Sequence, residues 1–140
     1  MINKKEIVNQ IRSHKQNANL NFKLKDDAQR FTRELFATLF NFPNDLDEDL
    51  DRLERLFEDL VDLACWELDK KCSKVWDEYV SELPEILRKL NLDAKAIYEN
   101  DPAAETIEEV YLAYPGFYAI AIYRLSNALY KKGFPIVPRL

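Results

Sequence analysis

An all-α fold of about seven helices is the class this sequence predicts, on three observations. Glycine is nearly absent. Gly116 and Gly133 are the two among 140 residues, where average usage of ~7% would give roughly ten. So few glycines leave little room for tight hairpins, positive-φ turns or a phosphate-cradling loop. Apolar residues recur every three or four positions through most of the chain, which is helical spacing. Helix-start chemistry precedes several of these stretches, with Asp or Thr ahead of proline or of an acid three residues on. At 47% apolar and 32% charged, the composition is that of one globular domain with a real core, residues 1–140.

Taken in order, Lys4 to Ser13 carries Ile7, Val8 and Ile11 and predicts a short amphipathic helix. The polar stretch Gln16 to Asn19 reads as a loop. A longer helix starts at Asp26 or Asp27, with Ala28, Phe31, Leu35, Leu39 and Phe42 on one face, and Pro43-Asn44 closes it. Asp45 opens the next helix, whose apolar stripe is Leu46, Leu50, Leu53, Phe57, Leu60 and Ala64. A further helix carries Val75, Trp76, Tyr79, Val80 and Leu83, and Pro84 then fits the first position of another, with Ile86, Leu87 and Leu90 inward. Asp101-Pro102-Ala103-Ala104 reads as a helix start with Asp101 as N-cap, and Thr106 with Glu109 matches a capping box. Tyr114-Pro115-Gly116 breaks that helix. Phe117 to Lys132 forms a strongly apolar one, with Gly133 where a C′ glycine belongs.

Charge and chemistry exclude several function classes. A net charge of -5 and a pI near 5.0 argue against nucleic-acid partners, which require clustered Lys and Arg. Met1 to Ile11 lacks the apolar run of a secretory signal. The longest apolar stretch, Phe117 to Tyr123, is far short of the ~20 residues that span a bilayer. No membrane association is expected. Cys65 and Cys72, if on one helix, are separated by ~10.5 Å of rise, beyond the ~7 Å limit for a bridge. They read as reduced thiols of a cytoplasmic protein. The acids from Asp45 to Asp51 alternate like a calcium loop, but Leu50 stands where glycine is required and Leu56 where a bidentate carboxylate is. They read as an acidic first turn suited to the helix dipole, with no metal site.

The last forty residues carry the most specific pattern. Asp101-Pro102-Ala103-Ala104, Glu108-Glu109-Val110, Tyr114-Pro115-Gly116-Phe117-Tyr118-Ala119-Ile120, Tyr123-Arg124-Leu125 and Leu129-Tyr130 together closely resemble the bacterial serine O-acetyltransferases. The resemblance is dense over Tyr98–Arg139, while residues 1–97 match only in being helical. It implies a helical oligomerisation part over 1–97. It also implies a block at 98–140 leading to a left-handed β-helix of hexapeptide repeats that these residues do not include. By resemblance, the parent enzyme transfers acetyl from acetyl-CoA to the hydroxyl of L-serine in cysteine biosynthesis. Cysteine is its feedback inhibitor, and it assembles as a hexamer of two trimers. Contact with O-acetylserine sulfhydrylase would use an extreme C-terminus absent here. The family's general base and its coenzyme A contacts lie in the β-helix domain. This chain is therefore expected to bind no cofactor and to be inactive alone; its sole histidine, His14, matches no family motif.

The resemblance assigns one substrate residue. Asp101 matches the aspartate that helps bind the amino group of serine or cysteine. The residue pattern alone makes it an N-cap, and one carboxylate can serve both roles. Arg124, alone among apolar neighbours, wants a partner. An ion pair with Glu108 or Glu109 is the simpler reading, and binding of the substrate carboxylate is the alternative. Tyr111, Tyr114, Phe117, Tyr118 and Tyr123 read as packing, as do Trp66 and Trp76. Asn127 departs from the family, many members of which have histidine there. The rival from another class is a free-standing helical protein–protein interaction module, with which everything before Tyr98 is equally compatible.

Overall fold

The computed structural model of the chain describes residues 1–16, 20–64, 72–134 and 139. Among them are six helices and no strand: α1 (Lys4–His14), α2 (Phe22–Phe40), α3 (Leu46–Leu63), α4 (Cys72–Asn100), α5 (Ile107–Ala113) and α6 (Pro115–Tyr130). None is long and apolar enough to cross a membrane. Cys65 and Trp66 lie outside the described residues, so the thiol separation and the placing of Trp66 stay as expectations.

The capping chemistry sets most boundaries. The Asn3 side chain accepts from the Glu6 amide at 3.3 Å to start α1. That helix buries none of its residues, and Ile7 and Ile11 are exposed. The second helix begins at Phe22, earlier than the Asp26 or Asp27 start, because the Asn21 side chain accepts from the Leu24 amide at 3.0 Å. Leu24 is thereby carried into the core with Ala28, Phe31 and Leu35. The same helix ends at Phe40, so Phe42 leaves the apolar face and stands exposed. Asp45 caps α3 as the sequence predicts, accepting from the Glu48 amide at 3.1 Å, with Asp47, Glu48 and Asp49 in the first turn. Leu53, Phe57, Leu60 and Ala64 are buried, whereas Leu46 is exposed.

Two predicted helices are one. The fourth helix runs unbroken from Cys72 to Asn100 with Pro84 inside it. Proline removes one ladder bond and crowds the preceding turn. The helix survives because it is buried on both sides of Pro84: Val75, Trp76, Tyr79 and Leu83 in one apolar cluster, Leu90 and Ala94 in another. At 1.5 Å per residue, α4 is about 43 Å long.

That length organises the molecule. The first cluster joins α2, α3, the first half of α4, the end of α6 and Phe134. Trp76 sits in it, its ring 5.3 Å from Phe57 and 6.3 Å from Phe31. The second cluster joins the other half of α4 to α5 and the start of α6, through Leu90, Ala94, Val110, Phe117 and Ala121. Both α4 and α6 serve both clusters, running antiparallel. The buried Tyr79 hydroxyl donates to the Leu125 carbonyl at 3.2 Å, and Lys132 pairs with Glu82.

Candidate functional site

The corner between α4 and α5 holds the residue that the sequence singled out. The Asp101 amide donates to the Ile97 carbonyl at 2.9 Å, closing the last turn of α4. Its carbonyl accepts from the Ala104 amide at 3.1 Å, and its Oδ1 accepts from the Ala103 amide at 2.8 Å. Asp101 therefore holds a tight turn and does not cap a helix. Aspartate followed by proline is turn chemistry, since Pro102 presets φ for the second position and the Asp side chain bonds the backbone two residues on. The helix start belongs to Thr106, whose Oγ1 accepts from the Glu109 amide at 3.4 Å. The return bond of the capping box is shifted by one, from the Glu105 amide to Glu109 Oε2 at 3.2 Å.

Tyr114 completes this corner. It links α5 to α6 in extended backbone, φ -87° and ψ 108°, as a residue before proline must. It makes no side-chain cap bond there. Its ring packs against the second cluster. Partial desolvation, then Asp101, then the more distant Glu109, hold the Tyr114 hydroxyl above its ordinary pKa. It stays a protonated donor. The surface around it is acidic, with Glu99, Asp101, Glu105, Glu108 and Glu109 close in sequence and Lys95 reaching Glu99 at 3.8 Å. Asp101 itself is half-buried, not sealed in the fold. Such a corner suits a cationic or ammonium group.

Arg124 lies elsewhere and has a different partner. It forks onto Asp93 of α4, Nε to Oδ2 at 2.7 Å and Nη2 to Oδ1 at 3.1 Å, rather than onto Glu108 or Glu109. The ion pair predicted from sequence exists, but it ties α6 to α4 and not to α5. Asp93 raises the arginine's pKa through that hydrogen bond first. Arg124 lines a groove of about 200 Å³ between α4 and α6, together with Glu82, Glu85, Lys89, Asn127 and Lys131.

The aromatic residues divide. Tyr111 stacks edge-on against Phe117 at 5.0 Å and meets Phe40 at 5.3 Å; Tyr118 meets Phe36 at 5.1 Å. These are packing contacts, as the sequence predicts. Tyr123 stands apart, exposed. The sequence reading missed Asp93 as the partner of Arg124. Asp93 has no local signal, being 31 residues from Arg124. Tyr114 was legible as a helix break and as packing, and its place before Pro115 already fixed its backbone.

An all-helical domain with a surface Asp-Pro-Ala corner and a Tyr-Pro-Gly helix junction is the class these features define. Residues 63–122 match the family described as serine acetyltransferase, N-terminal. Over that segment the chain is similar to the N-terminal region of the serine acetyltransferases. A serine acetyltransferase (plasmid) of Synechococcus elongatus is 40% identical over 73 residues, 52% of this chain and 23% of that relative. A serine acetyltransferase of Synechocystis sp. is 46% identical over 55 residues, 39% of this chain and 22% of the relative. One of Bacillus subtilis is 42% identical over 53 residues, 38% and 24%. The chain thus spans about a quarter of the length of the curated relatives it matches. The family match begins at residue 63, well before the dense block at Tyr98, so part of α4's helical sequence belongs to it too. It includes Asp101 and Tyr114 and stops two residues short of Arg124.

Proposed function

We propose that this chain is the N-terminal part of a serine O-acetyltransferase and supplies one contact to the amino-acid substrate, Asp101. The observation that carries the reading is the Asp-Pro-Ala corner. Within the family-matched segment, a turn bonded twice to its own backbone holds a carboxylate at an acidic, solvent-reachable edge. A carboxylate there can pair with the ammonium of L-serine, or of cysteine competing for the same place, through a charge-assisted hydrogen bond. Acetyl-CoA would be bound by other residues of the parent enzyme. The one histidine of this chain, His14, lies in the last turn of the exposed α1, remote in sequence from the corner. No general base accompanies Asp101, so these 140 residues alone are proposed to be inactive. Arg124 is proposed as a structural residue, because both prongs of its fork are taken by Asp93.

Asp101→Ala in the intact gene product tests the reading. The KM for L-serine and the inhibition constant for cysteine should rise about tenfold or more, the worth of one charged hydrogen bond, with the KM for acetyl-CoA unchanged. Equal losses for all three would overturn the assignment and indicate a folding defect. A thiol-release assay on this chain alone should show no acetyl transfer. We further propose that the helical part supports self-association; the exposed Ile7 and Ile11 on α1 favour it, and the parent would then be a homo-oligomer of the cytoplasm.

A further inference from the structure

We propose that the groove between α4 and α6 is a binding site for a small phosphate monoester, held by Lys89, Lys131 and Asn127. It is independent of the reading of Asp101, which is not among the residues that line the groove. Two helix faces build it. Glu82, Glu85 and Lys89 recur at i, i+3 and i+7 on one face of α4. Arg124 and Asn127 meet them from α6, with Lys131 just past the last residue of that helix. The space between them is about 200 Å³.

The groups left unpaired in this groove select its ligand. Its carboxylates are already taken. Both oxygens of Glu85 accept from Arg88, at 2.8 and 2.7 Å, and Glu82 pairs with Lys132. Arg124 is neutralised by Asp93. The donors are not taken. Lys89 and Lys131 make no ion pair, and the Asn127 side chain no hydrogen bond, among the described residues. The groove therefore holds two uncompensated positive charges on a chain of net charge -5. A monocarboxylate would answer one of them. A phosphate monoester, at about −1.5 to −2 near neutral pH, answers both. Lysine meets phosphate as a point charge, whereas recognition of a planar carboxylate favours the arginine fork that Asp93 here occupies. The Asn127 amide adds directed N–H donors. Ile86 and Ala128 supply an apolar part of the lining, where the organic part of the ester can lie.

Nuclear magnetic resonance of this chain, labelled with ¹⁵N, tests the site with glycerol 3-phosphate as the probe. The Asn127 side-chain amide and the Lys89 and Lys131 backbone amides should shift and saturate, while the amides of the Asp101 turn stay in place. At matched ionic strength, glycerol 3-phosphate should bind about threefold tighter than inorganic phosphate and about tenfold tighter than acetate. Lys89→Gln with Lys131→Gln should weaken binding about tenfold or more. Both lysines are exposed, so the helical circular-dichroism signal should be unchanged. Lys89→Arg with Lys131→Arg keeps the charge and should keep the binding; its loss there would overturn a site built on charge. Shifts that never saturate, or that chloride reproduces, would show a diffuse ion atmosphere and overturn the site. Acetate or inorganic phosphate binding as tightly as the ester would overturn the ligand class. Saturable binding untouched by the double glutamine variant would put the ligand elsewhere and end the proposal.

Discussion

Thr38 buries its side chain to 5% exposure on α2, and its hydroxyl has no hydrogen-bond partner among the described residues. A buried hydroxyl without a partner loses hydration and gains nothing, at a cost of about 1–3 kcal/mol. Thr38→Val should therefore stabilise the chain by about 1 kcal/mol in urea denaturation; destabilisation of that size would show that the hydroxyl is bonded. Tyr79 is the opposite case, fully buried but bonded to the Leu125 carbonyl. Burial first, and the nearby Glu82 second, push its phenol far above the ordinary value of 10.0. The unfolded chain releases that proton above about pH 10 and the folded chain cannot, so the stability it contributes is whole below pH 10 and falls as pH rises beyond. Tyr79→Phe should cost about 1 kcal/mol at neutral pH and flatten the alkaline fall in melting temperature. An alkaline arm as steep as before would assign that fall to other groups.

Among the elements, α4 is where local preference and burial disagree. Pro84 is exposed, inside a helix of 29 residues, and interior proline is worth about 3 kcal/mol less than alanine in a helix. Part of that is returned by the stiffer unfolded chain. Pro84→Ala should raise stability by about 1–2 kcal/mol while leaving the helical circular-dichroism signal unchanged. A fall in stability would mean that Pro84 sets a bend on which both clusters depend. The Asp93–Arg124 pair works between elements. Its side chains are 24% and 33% exposed, so solvent screens it, and breaking it should cost nearer 1 kcal/mol than the ~3–5 kcal/mol of a fully buried pair. Its bidentate geometry fixes the register of α6 on α4 more than it stabilises the fold.

At the scale of the molecule, two apolar clusters share two long antiparallel helices, and the Asp101 corner sits at the far end of the second cluster. The core behind the corner, Leu90, Ala94, Val110, Phe117 and Ala121, is fully buried. The other end of the chain is unlike this. The helix α1 buries nothing, and Ile7, Ile11, Leu20 and Phe22 are all exposed. Ile7 and Ile11, four residues apart, share one face of α1, and it is this exposed pair that favours the proposed self-association. Sedimentation equilibrium at high micromolar concentration should give a mass above 16.5 kDa, and Ile7→Asp with Ile11→Asp should return it to the monomer. A strictly monomeric unmodified chain would end that proposal.

Much of this was legible in the sequence, because helix spacing, scarce glycine and caps act over a turn or two. The all-α class, the Asp45 and Thr106 caps and the stripes Ala28-Phe31-Leu35 and Leu53-Phe57-Leu60 are local facts, and the structure repeats them. Gly133 is likewise where it was expected, at φ 98°. The similarity to the serine acetyltransferases was legible as well, through the spacing of Asp101-Pro102-Ala103 and Tyr114-Pro115-Gly116. What tertiary structure alone decided is everything that depends on which faces meet. Burial on both sides of Pro84 carried one helix through a residue that locally ends them. Packing of α6 on α4 gave Arg124 to Asp93 instead of to the glutamates nearer in sequence. The folding of α5 back on α4 brought the Tyr111 hydroxyl to Asn91, a neighbour no spacing rule anticipates. Local bonds choose the elements; the apolar surface they must hide together chooses the contacts.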